Sequence, residues 1–288
     1  MTMPPPAPPP TPQPASPPPA ADRLAAALSA TRLAAAATLR WFRAPGLTVE
    51  EKSDRSPVTQ ADREAEAILR RELMTAFPDD AFHGEESGAT PGRSGYEWVV
   101  DPIDGTKSFI HGVPLYAMLV GCRREGRGVL GVIAMPALDE FVYAAAGGGA
   151  WHVRGAAAPV AARVSDGRSL AEALVCTSDF GSFAAWAGGG AAGRRARAAL
   201  ESACRIGRTW GDGYGYLLVA TGRAEVMIDP LMNRWDAAAV ETVVTEAGGR
   251  FSDWAGRASI DSGDGLATNA RLHGDVLQLL ATARDATA

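Results

Sequence analysis

Asp101-Pro102-Ile103-Asp104-Gly105-Thr106-Lys107-Ser108-Phe109 follows directly on the apolar run Trp98-Val99-Val100. The run reads as a buried strand, and the strand ends in two carboxylates three positions apart, then a glycine turn, a hydroxyl and an ammonium. Two carboxylates this close repel one another, and one of them stays protonated unless a cation sits between them. An oxygen-rich site of this kind suits Mg²⁺, which keeps water and uses substrate phosphate as a further ligand. Gly105 and Thr106 would offer backbone N–H groups to that phosphate. The stretch therefore points to a metal-dependent phosphatase.

Other phosphate chemistries fit less well. A P-loop requires GxxxxGK[ST], and the glycine spacing before Lys107 is wrong for it. An aspartyl-phosphate enzyme of the haloacid-dehalogenase type wants Asp-x-Asp-Gly-Thr, whereas Asp101 and Asp104 stand one residue too far apart. A covalent serine mechanism lacks GxSxG and a suitable histidine. Zinc is disfavoured because His83, His111, His152 and His273 show no ligand spacing.

Upstream, Thr59-Gln60-Ala61-Asp62 reads as a capping box opening a helix whose apolar face is Ala61, Ala65, Ile68, Leu69, Leu73, Ala76 and Phe77. Asp62 lies on that apolar side, so it is either a capping acid or an inward-facing site acid. Phe82-His83-Gly84-Glu85-Glu86-Ser87-Gly88 is a short extended piece breaking into a polar loop. Before these, Asp22 to Arg43 has the Ala/Leu spacing of a packing helix. Residues Met1 to Ala21 are mostly Pro and Ala and are expected to form a disordered tail; an SH3-type ligand would need a basic residue that the tail lacks.

Downstream, period-two strands are expected over Val113–Cys122, Val129–Met135, Phe141–Ala145 and Ala150–Val153, joined by tight turns into an antiparallel sheet. The rhythm then changes. Short strands at Ala173–Thr177, Ala224–Ile228 and Leu266–Thr268 alternate with helices at Arg194–Ala203, Tyr214–Thr221, Asn233–Ala247 and from Asn269 onward. Trp186 to Gly193 reads as a loop and Phe251 to Ala258 as a hairpin. The expectation is an N-terminal α+β unit over 22–155 and a C-terminal α/β unit over 156–288. Asp236 opens a helix that buries Ala239, Val240, Val243 and Val244, so its carboxylate faces the core and needs either capping N–H groups or a metal.

Size and composition agree with a globular enzyme. The chain has 288 residues, 47% hydrophobic and 21% charged, with a net charge of −5. There is no dense Lys/Arg run to suggest a nucleic-acid partner. No apolar run approaches the roughly 20 residues of a membrane span, and the N-terminus lacks the regions of a signal peptide. Cys122, Cys176 and Cys204 are widely separated, as suits reduced thiols in a cytoplasmic protein.

Gly84-Glu85-Glu86-Ser87, Asp101-Pro-Ile-Asp-Gly-Thr106 and Trp235-Asp236-Ala-Ala-Ala, with Glu246-Ala-Gly-Gly249 behind them, resemble the inositol monophosphatase-like superfamily over about Ala21 to Arg284. The resemblance implies a layered αβαβα sandwich of the inositol monophosphatase/fructose-1,6-bisphosphatase type, Mg²⁺ dependence, inhibition by Li⁺ and commonly a homodimer. It makes Glu85, Asp101, the Ile103 carbonyl, Asp104 and Asp236 the metal ligands. Thr106 and Asp62 become the pair that orients the attacking water beside Glu85, and Gly105 and Thr106 meet the phosphate. Lys107 and Ser108 depart from the Thr and Asn of inositol-type members. With Gly211-Asp-Gly-Tyr-Gly-Tyr216 and Met227-Ile-Asp-Pro-Leu-Met-Asn-Arg-Trp-Asp236, the chain looks most like the histidinol-phosphate phosphatase branch. Asp212 and Asp229 would there pair with the amine and imidazole of the substrate. Inositol 1-phosphate, a sugar phosphate or a 3′-phosphonucleotide are the alternative substrates.

Overall fold

A computed structural model describes residues 19–53 and 55–286; the tail expected over 1–21 lies outside these except for its last three residues. Those three are helical, because α1 runs Pro19–Trp41 and proline is tolerated in a first helical turn, where its missing N–H has no intrahelical partner. A small hairpin, β1 (Val49–Glu51) and β2 (Pro57–Thr59), leads into α2 (Gln60–Ala76). Then come β3 (Ala81–Gly84), β4 (Gly88–Thr90), β5 (Tyr96–Asp104) and the short α3 (Thr106–Ile110). The meander follows as β6 (Ala117–Arg124), β7 (Arg127–Met135), β8 (Glu140–Ala145), β9 (Ala150–Arg154) and β10 (Val160–Ala162).

The second half holds β11 (Leu174–Cys176), α4 (Gly190–Ala203), β12 (Ile206–Arg208), α5 (Gly213–Ala220) and β13 (Val226–Asp229). It closes with α6 (Arg234–Glu246), β14 (Gly249–Ser252), β15 (Gly265–Asn269) and α7 (His273–Asp285).

Two sheets carry the architecture. One has eight strands in the order β10-β9-β8-β7-β6-β5-β3-β4, and the other five in the order β12-β11-β13-β15-β14. The large sheet is antiparallel as expected, save for the parallel pair β3–β5. Strand β10 joins it from beyond residue 155. The small sheet is parallel at β12–β11–β13 and antiparallel at β13–β15–β14.

Strand periodicity sorts side chains into layers. Trp98, Val100, Met118, Val120, Leu130 and Val132 face α1 and α2. Their alternates Val99, Leu119, Ile133 and Val142 face α5 and α6. In the small sheet Met227 and Ala267 join that same central layer, while Val175, Val226, Ile228 and Leu266 face α4 and α7. Helices, sheet, helices, sheet, helices: the chain is an αβαβα sandwich.

Local departures from expectation have simple causes. The strand expected from Val113 begins at Ala117, because α3 ends in a turn through His111 and Gly112. Helix α4 starts at Gly190, inside the stretch read as a loop; glycine and alanine there carry no polar signature of a cap. The hairpin expected over Phe251–Ala258 is a single strand, β14, whose partner β15 lies beyond a loop fixed by Asp253. Strand β12, three residues long, gave no periodic signal. Among the described residues no helix is long and apolar enough to cross a membrane.

Candidate active site and acidic metal cluster

The site forms where β5 ends against the first turn of α6. In a regular strand, residues three apart point to opposite faces. Asp101 pairs with Leu119 and Asp104 with Ala117, so three steps along β5 match two along β6. That extra residue is a bulge, which re-aims a side chain and gives Pro102 a place in an otherwise central strand. Both carboxylates thereby reach one side.

Asp236 arrives from the opposite layer. Helix α6 lies unusually close to the large sheet, because Gly121 sits against Ala238 and a Cβ on Gly131 would collide with the Ala239 carbonyl. The Ala237-Ala238-Ala239 run and the strand glycines are thus two halves of one close approach. Carboxylate oxygens of Asp101, Asp104 and Asp236 fall within 4.8 Å of one another, a group that could hold a metal ion.

Asp236 also completes a capping box, its Oδ2 accepting from the Asn233 N–H at 2.7 Å. The two sequence readings of this residue are therefore both realised: it caps the helix and faces the acidic cluster.

Asp62 is fully buried and makes the capping box expected of it, with Thr59 N at 2.8 Å and Thr59 Oγ1 at 2.6 Å, both donating to Oδ2. Its other oxygen is 3.4 Å from Thr106 Oγ1. The single Thr106 hydroxyl hydrogen has a second acceptor in the Ile103 carbonyl at 3.1 Å, which leaves that carbonyl one lone pair. The Ile103 N–H donates to Asp101 Oδ1 at 3.0 Å.

Gly105 takes φ 83°, ψ 44°, a left-handed conformation that glycine adopts without strain. A Cβ there would also strike the Asp212 carboxylate.

Glu85 lies at the edge of the cluster. Its Oε1 accepts from Lys52 Nζ at 2.8 Å, and the same ammonium donates to Glu86 at 2.6 Å. Burial works against the charge on Lys52, and its bonds to Glu85 and Glu86 outweigh that and raise its pKa.

Electrostatics define the centre. Burial, then the charges of Glu85 and Asp104, push Asp101 well above the usual carboxylate range. Burial and the charges of Asp212 and Asp236 do the same to Asp104, although the Gly213 N–H donates to it. Asp236 is pushed up to about 7, chiefly by burial. Burial raises Asp62 as well. A set of like charges that cannot all ionise alone, with only oxygen donors, fits a hard divalent cation.

Beside the cluster lies a cleft of about 90 Å³ lined by Asp104, Ser178, Asp212, Tyr216, Asp229, Leu231, Met232 and Asp236. Asp229 accepts from the Ser178 N–H at 2.9 Å and from the Tyr216 hydroxyl at 2.9 Å, and burial pushes it up to about 6. Burial raises Asp212 too. The cleft thus brings Asp212, Asp229, Asp104 and Asp236 together.

Four residues escaped the sequence reading. Glu66 is buried and accepts from the backbone N–H groups of Glu86 at 2.8 Å and Ser87 at 2.7 Å, fixing the loop that carries Glu85. Its signal was available: it falls one turn after Asp62 on the apolar face of α2. Tyr216 sat inside a quoted glycine-tyrosine motif without a role. Lys52 and Ser178 had no signal in the sequence.

Fold and cleft together define a layered sandwich with an acidic site where β5, α5 and α6 meet. Residues 21–286 match the model of the inositol monophosphatase family, and the chain belongs to that family; it is a phosphomonoesterase. It is 42% identical over 240 residues to a histidinol-phosphatase of Chlorobaculum parvum, covering 83% of this chain and 89% of that protein. An inositol-1-monophosphatase of Mesorhizobium japonicum is 35% identical over 231 residues, covering 77% and 82%. Among solved structures, the extragenic suppressor protein suhB of Bartonella henselae superposes with a TM-score of 0.80 at 29% identity, covering 89% of this chain and 97% of that one.

Proposed function

We propose that the protein hydrolyses L-histidinol phosphate to L-histidinol and phosphate in a Mg²⁺-dependent reaction. The observation that carries the substrate choice is the pair Asp212 and Asp229 in the cleft beside the acidic cluster. Neither carboxylate belongs to the tight group of Asp101, Asp104 and Asp236. A polyol phosphate offers hydroxyls to such a cleft, whereas histidinol phosphate offers an amine and an imidazole, which two carboxylates recognise through charge-assisted hydrogen bonds. The histidinol-phosphatase relative supports the same choice.

Asp101, Asp104, Asp236, Glu85 and the Ile103 carbonyl would hold the metal. When bound, Mg²⁺ supplies Lewis acidity, lowering the pKa of water and neutralising charge on the phosphoryl oxygens. Thr106 and Asp62 orient the attacking water beside Glu85; whichever acceptor takes the Thr106 hydrogen, lone pairs of its oxygen stay open toward water. The N–H groups of Gly105 and Thr106 meet the phosphate, at a left-handed turn that glycine adopts without strain. Asp229 and Asp212 seat the departing amino alcohol. We extend the proposal to a cytoplasmic homodimer, the assembly the family resemblance implies.

The test is a substrate panel with Mg²⁺: L-histidinol phosphate, inositol 1-phosphate and 3′-phosphoadenosine 5′-phosphate, each repeated with added Li⁺. The reading requires kcat/KM to be highest for histidinol phosphate and turnover to vanish under chelation. A clear preference for either other ester would overturn the substrate choice.

A further inference from the structure

Arg234 is the first residue of α6, where the positive end of the helix dipole disfavours a cation. Two carboxylates hold it there. One terminal nitrogen donates to Glu97 Oε2 at 2.6 Å and the other to Asp261 Oδ1 at 2.8 Å, while Nε makes no hydrogen bond among the described residues. The guanidinium and the Glu97 carboxylate are 28% and 29% exposed, sheltered enough for the pair to resist screening.

Position in the fold gives the pair its meaning. Glu97 lies on β5 four residues before Asp101, and Arg234 lies on α6 two residues before Asp236. Strand and helix are therefore joined twice, at Glu97–Arg234 and again at the acidic cluster. Between the two joints the Trp235 ring meets His83 of β3 edge-on at 5.9 Å. At the second joint, carboxylate oxygens of Asp236, Asp101 and Asp104 lie within 4.8 Å of one another. The ion pair at the first joint fixes the start of α6 against β5 beside them.

We infer that Arg234 and Glu97 are positioning residues that hold Asp236 within ligand distance of Asp101 and Asp104, so that the metal set exists before the cation arrives. This rests on the reading of those three carboxylates as the metal site. Preformed ligands bind more tightly because less ordering accompanies binding. A breach of the local dipole rule at this point is what a site that sacrifices helix stability for geometry would show.

The experiment measures Mn²⁺ binding by electron paramagnetic resonance, apart from any turnover, on four proteins. These are wild type, Glu97→Gln, the double exchange Glu97→Arg with Arg234→Glu made together with Asp261→Asn so that the new acid faces no carboxylate there, and Asp236→Asn as the ligand-loss control. Glu97→Gln is expected to raise the Mn²⁺ Kd about tenfold, the low end for losing a group that supports a ligand. The double exchange, which restores the ion pair and places an acid at the helix start, is expected to recover most of the affinity. A purely structural pair would lower the melting temperature of Glu97→Gln and leave its Kd at the wild-type value; that result would overturn the inference while Asp236→Asn still lost binding. Failure of the double exchange to recover a lost affinity would overturn it as well. No Mn²⁺ binding by the wild type would remove the metal reading and this inference with it.

Discussion

Tyr216 donates its phenolic hydrogen to Oδ2 of Asp229 at 2.9 Å, with both side chains almost wholly buried at the edge of the acidic cleft. Burial pushes Asp229 up to about 6, and the bonds from the Ser178 N–H and Tyr216 pull the other way. Removing the hydroxyl in Tyr216→Phe therefore moves Asp229 further up and leaves less of it ionised at neutral pH. If Asp229 pairs with a substrate cation, KM for histidinol phosphate rises about tenfold at pH 7, or ~1.4 kcal/mol, the scale of one hydrogen bond to a charged group. The KM–pH profile also shifts to higher pH, because the carboxylate must ionise before it can pair. Steady-state kinetics from pH 5.5 to 8.5 read both effects; an unmoved profile would detach Asp229 from substrate recognition.

Asp104→Asn separates stability from activity. Asp104 is held above the normal carboxylate range by burial and by Asp212 and Asp236, so a neutral amide relieves repulsion in the metal-free protein. Its melting temperature without metal is expected to equal or exceed that of wild type, the usual trade at a functional site. Turnover with Mg²⁺ is expected to fall by about 10²–10³-fold, the scale of removing one group that stabilises transition-state charge. Calorimetry under chelation and kcat/KM with Mg²⁺ test the two halves independently, and unchanged turnover would refute the metal assignment.

Much of this was legible because local chemistry and tertiary role coincide. Thr59 and Asp62 announce a helix start, and that start is also where a buried carboxylate meets Thr106. Asp236 likewise caps α6 while facing Asp101 and Asp104. Strands and helices could be read because they carry distinct periods, while their αβαβα layering came from the family resemblance. What stayed hidden depends on juxtaposition. The bulge that brings Asp101 and Asp104 to one side is a property of pairing with β6, which no single strand reports. Lys52 reaches Glu85 across 33 positions of sequence, and Arg234 reaches Glu97 across 137. The expected hairpin at Phe251–Ala258 misread a loop organised by Asp253, whose carboxylate binds Ala255 and Arg257 and so ends the strand.

Glu66→Gln tests how the Glu85 loop is held. The carboxylate accepts two backbone N–H groups, from Glu86 and Ser87, and glycine at 84 leaves it room, since a Cβ there would collide with it. An amide can accept only through its oxygen, and its NH₂ then faces an N–H. A stability loss of about 1–3 kcal/mol is expected, with a drop in kcat/KM as Glu85 loses its place. Urea denaturation and kinetics measure these. Full activity with reduced stability would assign Glu66 to the fold alone.

His273 sets a separate pH signature, remote from the acidic cleft. Ser252 Oγ donates to the Asp253 carbonyl at 2.7 Å, so at 3.0 Å it accepts from Nε2 of His273, and Nδ1 lies 2.9 Å from Thr268 Oγ1. Burial, with Arg250 nearby, lowers the ring's pKa from 6.5 to about 4, so at neutral pH the ring is uncharged and Nδ1 accepts from the Thr268 hydroxyl. Between those values the unfolded chain binds the proton and the folded one does not. Stability from this group is full above about 6.5 and is lost as pH falls toward about 4, with a ceiling of about 3 kcal/mol. His273→Gln removes the titration while keeping a donor and an acceptor, and the shifted carboxylates of the cleft are common to both proteins and cancel in the difference. Urea denaturation from pH 7.5 to 4.5 should therefore show the wild-type advantage over His273→Gln shrinking by about 2–3 kcal/mol. Parallel profiles would mean that the imidazole is not held neutral by its burial.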